Sequence, residues 1–218
     1  MNNLTSLEKS VFQLEWPEFY GRVRTAETPE IFKTRLRVIR SIRDLFSSVS
    51  HFGDLDRSDR RKIGGLEKTP EVDYGWFGGM WSAGTFKSVI NQNNPNLSAA
   101  LDKVPLQGDI TKLTLLAFVR EFKKAFPRGG GGISGATRLL AMKRPDVFVC
   151  ISMRNRDPLC DELQVAKGTG LDDYWERFVE PIMKAPWWNA AMPSSADEQD
   201  VWKARAVFLD SLFRREEM

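Results

Sequence analysis

The sequence has few of the residues that nucleophilic and metal chemistry most often require. It has one histidine, His51, and two cysteines, Cys150 and Cys160, in 218 residues. The usual zinc ligand sets are therefore excluded, and neither a metal nor a cofactor is expected. His51 alone reads as a surface or capping residue rather than a catalytic base. No run approaches the roughly 20 apolar residues of a membrane span. Met1 to Lys9 is polar with no apolar stretch after it, so no signal peptide is read. The expectation is a cytoplasmic protein with reduced thiols and no membrane partner. Neither charge sign dominates: 32 Lys and Arg against 29 Asp and Glu leave a net +3, which says little about partners. Internal repeats and low-complexity linkers are also missing, and few segments alternate with period two, which argues against a β-fold.

What is present is apolar and aromatic. Apolar residues make up 42%, with seven Trp and fourteen Phe, enough for a real core. The length suits one large domain or two small ones. Cations concentrate in 33–43, 57–62, 120–128 and 138–156. Such clusters suit an anionic partner, or else are solvated helix faces.

Helical spacing recurs along the chain. A short helix from Leu7 to Leu14 is ended by Trp16-Pro17. Thr28-Pro29-Glu30 starts a long amphipathic helix over 28–49. Its apolar stripe is Ile31, Phe32, Leu36, Ile39, Ile42, Leu45, Phe46 and Val49, and Lys33, Arg35, Arg37, Arg40 and Arg43 are placed opposite. Residues 50–73 read as a basic, turn-rich loop. Further helices follow over 86–91, from Pro95, from Asp109 to Phe126, over 171–184 and from Ala196 onward, where Arg214-Arg215 suits the C-terminal dipole. The expectation is an all-α protein of about eight helices, a single compact unit over 1–218, with lobes 1–125 and 126–218.

Two stretches carry the functional signal. Residues 74–86 hold five aromatics and four glycines in thirteen positions. Glycine lets backbone approach a ligand, and aromatics stack on bases or line an apolar pocket, although folding onto the core is the commoner fate of Trp and Phe. Residues 126–155 place a glycine run, Gly129 to Gly132, before a short apolar helix. A basic break, Lys143-Arg144-Pro145-Asp146, and an apolar run, Val147 to Ile151, then deliver Ser152-Met153-Arg154-Asn155. Amides freed by glycine beside Arg and Lys suit a phosphate. Cys150, inside an apolar run with no nearby histidine, reads as inert core.

Gly132-Ile133-Ser134-Gly135-Ala136-Thr137 resembles the hairpin of the helix-hairpin-helix DNA glycosylases, with Ser134 an extra residue between the glycines. Asp146 to Ile151 is similar to the run that precedes that superfamily's catalytic aspartate. The pieces Trp76-Phe77-Gly78, Arg138 to Asp146, Phe148-Val149-Cys150, Tyr174-Trp175 and Pro186-Trp187-Trp188 resemble a bacterial defence-associated family, linked to antiphage glycosylases that excise modified bases.

The resemblance implies a two-lobed glycosylase-like fold and a monomeric enzyme. Its substrate would be double-stranded DNA, such as phage DNA with modified bases, from which it flips and excises a base to leave an abasic site. The lysine of bifunctional members falls on Ala136 or Thr137, so no lyase activity is expected. The family's aspartate falls on Ser152, which is no base near neutral pH. The expected catalytic set is therefore Ser152 and Asn155 positioning water, with Asp157 supplying charge; Asp161 and Glu162 are the other nearby acids. The expected DNA-backbone contacts are Arg128, Gly132, Ser134, Gly135, Arg138 and Lys143. The expected base pocket or wedge is Tyr74, Trp76, Phe77, Trp81 and Trp187. The alternatives are a non-catalytic DNA-binding or adaptor module on the same fold and, beyond it, a protein–protein module with the aromatics as its interface.

Overall fold

A computed structural model describes residues 9–214 of the chain. All regular structure among them is helical, and the one β-bridge, Lys68 to Asp73, is isolated. The first half contributes α1 (Trp16–Thr25), α2 (Pro29–Ser47), α3 (Arg57–Ile63), α4 (Gly84–Asn91), α5 (Pro95–Asp102) and α6 (Lys112–Ala125). The second contributes α7 (Ile133–Lys143), α8 (Arg156–Leu163), α9 (Glu180–Lys184), α10 (Pro186–Asn189), α11 (Ala196–Trp202) and α12 (Leu209–Phe213).

Helix α2 forms as its sequence dictates. The Thr28 hydroxyl accepts from the Ile31 amide at 3.4 Å, and Pro29 occupies the first turn. Its buried stripe is wider than expected, however. Arg35 falls three residues after Phe32 and one before Leu36, on the inward face, and is fully buried rather than solvated.

Several other expectations are corrected. Leu7 lies outside the described residues, and the segment after it is a single 3-10 turn, Val11–Gln13. Trp16-Pro17 starts a helix instead of ending one. Proline suits a first turn that has no amide to satisfy, and Glu15 and Glu18 close a capping box there. Residues 57–62 form α3, not a free basic loop. Arg60 donates to the Ile90 and Leu55 carbonyls, Arg61 pairs with Glu67 at 2.7 Å, and Lys62 pairs with Asp59 at 2.7 Å. The helix expected over 171–184 widens into a π-helical turn, Trp175–Val179, before α9.

The last helix breaks after Trp202. The amide of Val207 donates to Pro145 O at 2.9 Å as well as to Ala204 O, and the chain from Ala204 to Ser211 turns by i to i−3 bonds. That interruption sets the orientation of Asp210. The core is one hydrophobic cluster running from Val11 to Leu209, with α5 packed along α6 and α2 against α7.

Candidate functional site

The loop between α3 and α4 is built around Arg138. This α7 side chain is fully buried, and its guanidinium donates to five carbonyls: Lys62 (3.3 Å), Ile63 (2.9 Å), Tyr74 (2.9 Å), Trp76 and Phe77 (3.2 Å). Burial lowers its pKa to about 10, with Cys150, Asp210 and Asp73 supporting the charge. Arg138 therefore holds the aromatic loop to α7 and cannot touch a DNA phosphate.

Phe77 has a left-handed backbone (φ 62°) and Gly78 follows at φ 94°. A Cβ on Gly78 would run into Cys150 Sγ, so this turn closes only on glycine. The result is a loop whose backbone lies directly against the apolar run before Ser152.

Between that loop and Ser152 opens a cleft of about 530 Å³. Trp76, Met80 and Trp81 supply its apolar surface, and Asp73, Ser134, Ser152, Arg154, Asp210 and Arg214 supply polar groups. A few polar groups converging in an apolar concavity of this size is the usual form of a small-ligand site.

Two carboxylates line it: Asp73, which accepts from the Gly75 amide at 2.7 Å, and Asp210, on the first turn of α12. Asp210 is 1% exposed. Its Oδ1 accepts from Asn155 Nδ2 at 2.7 Å and its Oδ2 from Arg35 Nη1 at 2.8 Å, with Arg214 Nη1 3.9 Å away. Arg35 also grips Glu27 through two bonds of 2.5 and 2.7 Å. Its guanidinium carbon sits 4.7 Å from the centroids of both Trp76 and Phe77, and that of Arg214 sits 4.6 Å from Trp76. Burial opposes the charge of Arg35, but Asp210 and Glu27 outweigh it and raise its pKa. Burial lowers that of Arg214, with Asp210 opposing.

The expected catalytic residues divide. Ser152 lines the cleft, and Ser134 from α7 faces it as well. Asn155 is buried and fully committed: it accepts from the Ser152 amide at 2.8 Å and donates to Cys150 O at 2.8 Å and to Asp210. It orients Asp210 and does not position water. Asp157 is on the first turn of α8 and is not among the cleft residues. Glu162 holds Ser10 and the Val11 amide, and Asp161 pairs with Lys167. The carboxylates that line the cleft are Asp73 and Asp210 rather than Asp157. A sequence signal for Asp210 existed: it is a lone acid inside Val207-Phe208-Leu209-Asp210-Ser211-Leu212-Phe213.

The remaining assignments are also sorted by burial. Tyr74 and Phe77 are core residues, Tyr74 bonding Ser41 Oγ at 3.0 Å and Phe77 meeting Phe208 edge-on at 5.6 Å. Trp187 is buried and is not among the cleft residues; it is stacked on Phe19 at 4.1 Å with its indole N–H on Val11 O. Neither these three nor Arg138 is available to a ligand. Gly135 packs against the Phe86 ring, and Lys143 donates to Leu101 O at 2.8 Å, so both have structural roles. Arg128 and Gly132 are exposed, Gly132 at the start of α7. The large apolar side chains at the rim are Trp81, 49% exposed, and Met153, 94% exposed.

Comparison with protein-family models, with curated proteins and with solved structures finds no match. The functional reading therefore rests on the cleft.

Proposed function

We propose that the cleft receives a base turned out of double-stranded DNA, and that the protein is a monofunctional DNA glycosylase of the helix-hairpin-helix kind. In this reading it acts on a modified base in a cytoplasmic antiphage role. The observation that carries the reading is Asp210. A carboxylate lies in the wall of an indole-lined cleft, next to the segment where the resemblance expects an acid and finds Ser152. Breaking an N-glycosidic bond develops positive charge on the sugar, and a fixed carboxylate stabilises that charge. Trp81 supplies a flat surface for a base, and Trp76, stacked with Arg35 and Arg214, backs the cleft wall. The N-terminus of α7, with Ser134 on the cleft and Arg128 and Gly132 exposed nearby in sequence, suits a backbone phosphate. No lysine stands among the cleft residues, consistent with hydrolysis rather than Schiff-base chemistry.

One observation favours a second reading, a DNA-binding module without chemistry. Both oxygens of Asp210 are already held, one by Asn155 and one by Arg35. Incubation with plain and base-modified duplexes, followed by alkali treatment and mass spectrometry of released base, separates the two. Release by the wild type that falls by about 10²–10⁴-fold in Asp210→Asn, with salt-dependent binding retained, is the expected result. Binding without release supports the module, and absence of both sinks either reading.

A further inference from the structure

A second cavity, of about 310 Å³, is enclosed by α2, the connection from α5 to α6, the end of α7 and the chain around α11. It shares no lining residue with the cleft. Six cationic side chains line it against two carboxylates. Both carboxylates are already paired: Arg144 holds Asp146 through two bonds of 2.9 and 2.8 Å, and Arg40 pairs with Asp200. Lys143 is turned to Leu101 O. Arg43, Lys203 and Arg205 remain, and among the described residues none of the three forms an ion pair.

Arg205 is the unusual member. It is only 7% exposed, yet its Nε is buried with no hydrogen-bond partner. Its one hydrogen bond is from Nη1 to Trp202 O at 2.8 Å. Its guanidinium is clamped between two indoles, 4.7 Å from the Trp188 centroid and 4.3 Å from that of Trp202. Each indole is pinned by its own N–H, Trp188 to Asp146 O at 2.7 Å and Trp202 to Ala190 O at 3.0 Å. Burial lowers the pKa of Arg205 to about 10, which leaves it charged at neutral pH. A planar fork of donors, desolvated, fixed by stacking and short of acceptors, is matched to an oxyanion. The cavity beside it also has an apolar side, formed by Ile39, Leu106 and Met142.

We propose that this cavity binds a phosphate monoester of a small molecule, with the phosphate on Arg205, Arg43 and Lys203 and the organic body against Ile39, Leu106 and Met142. Three unmatched cations suit a dianion better than a single carboxylate. The volume, at the lower end of the roughly 300–1,000 Å³ of small-molecule pockets, suits a body no larger than a nucleoside.

Calorimetric titration of the full chain with inorganic phosphate, ribose 5-phosphate and deoxyadenosine monophosphate tests this, with a duplex oligonucleotide as a separate arm. The expected result is saturable binding of at least one monoester, tighter than inorganic phosphate. It should weaken by about tenfold or more in Arg43→Glu and Lys203→Glu. Those two substitutions are chosen because they spare the clamped arginine, and both variants should keep the wild-type circular dichroism. Base release at the cleft should be unchanged in both, so failure here and failure of the glycosylase reading are distinguishable. No saturable binding of either monoester, or binding unchanged in both variants, overturns the proposal. Binding of the oligonucleotide alone, lost in the same variants, overturns it in favour of a DNA-backbone contact.

Discussion

Asn155 Nδ2 donates to Asp210 Oδ1 at 2.7 Å, joining residues 55 positions apart in a buried hydrogen bond. The same amide receives the Ser152 N–H and donates to Cys150 O. One side chain therefore ties the end of the apolar run to a carboxylate of the cleft.

That arrangement sets the expected effect of replacing it. Asn155→Ala removes the partner of the Ser152 amide, of Cys150 O and of Asp210 Oδ1 in a buried site. A stability loss of about 3 kcal/mol or more is expected, since each buried group without a partner costs about 1–3 kcal/mol. Urea denaturation measures it. Asp157→Ala, outside the cleft, should change base release by no more than about twofold, the effect of a substitution away from such features. A large loss of release in Asp157→Ala with stability unchanged would return the catalytic charge to α8.

Trp81 and Met153 make a different prediction because they are exposed at the rim. Their replacement by alanine should leave the thermal midpoint unchanged. If a base enters the cleft, Trp81→Ala should weaken DNA binding by about 1–3 kcal/mol, the contribution of one stacked base. Met153→Ala should weaken binding to duplex more than to single strand, since only a duplex has a vacated stack to fill. Fluorescence anisotropy with both substrates is the measurement, and unchanged affinity in both variants excludes this rim as the DNA contact.

The difference between Arg128 and Arg138 is a third test. Arg138→Lys substitutes three donors for a fork that serves five carbonyls, inside the core. A loss of about 3–5 kcal/mol is expected, as for other broken buried charge networks. Arg128→Ala should be neutral for stability, and if Arg128 meets a phosphate it should lower the slope of log affinity against log salt by about one. A stable Arg138→Lys with weakened DNA binding would restore Arg138 to the surface role expected of it.

Those two arginines also show what was legible in the sequence. Helical periodicity and caps gave the all-helical class and the position of α2 well, because each depends on residues within a turn of one another. The partner of a charge is a tertiary fact. Arg35 reads as solvated and Arg138 as a DNA-backbone contact, yet both are core residues whose acceptors come from 8 to 175 positions away. Arg35 could have been recognised by its place on the apolar stripe, three residues after Phe32. Asp210 was hidden for a related reason. The apolar spacing from Ala196 onward reads as one continuous helix, whereas Val207 gives its amide to Pro145 and the chain turns at the carboxylate. The stretch 126–155 still lines the cleft through Ser134 and Ser152, and Asn155 holds Asp210 from behind, but that carboxylate comes from the other end of the chain.

Cys150 gives the last prediction. Its Sγ faces Gly78, so it lies where the aromatic loop meets the apolar run, and its reactivity reports whether that contact opens. Burial raises the thiol pKa to about 12, with Arg138 pulling it down and Asp210 pushing it up. A raised pKa favours the protonated form. At pH 9, where an ordinary thiol is mostly ionised, Cys150 would stay almost entirely protonated. Cys160 is also buried and its pKa is also raised by burial. Native protein should therefore resist iodoacetamide at pH 8 to 9, as the thiolate is the nucleophile, while both thiols should react once guanidinium unfolds the chain. DNA binding at the cleft should slow any residual labelling of Cys150 by stabilising the closed loop. Rapid native labelling of Cys150, read by mass spectrometry, would show that the loop leaves the apolar run without global unfolding, and the cleft would then be a transient form rather than a preformed site.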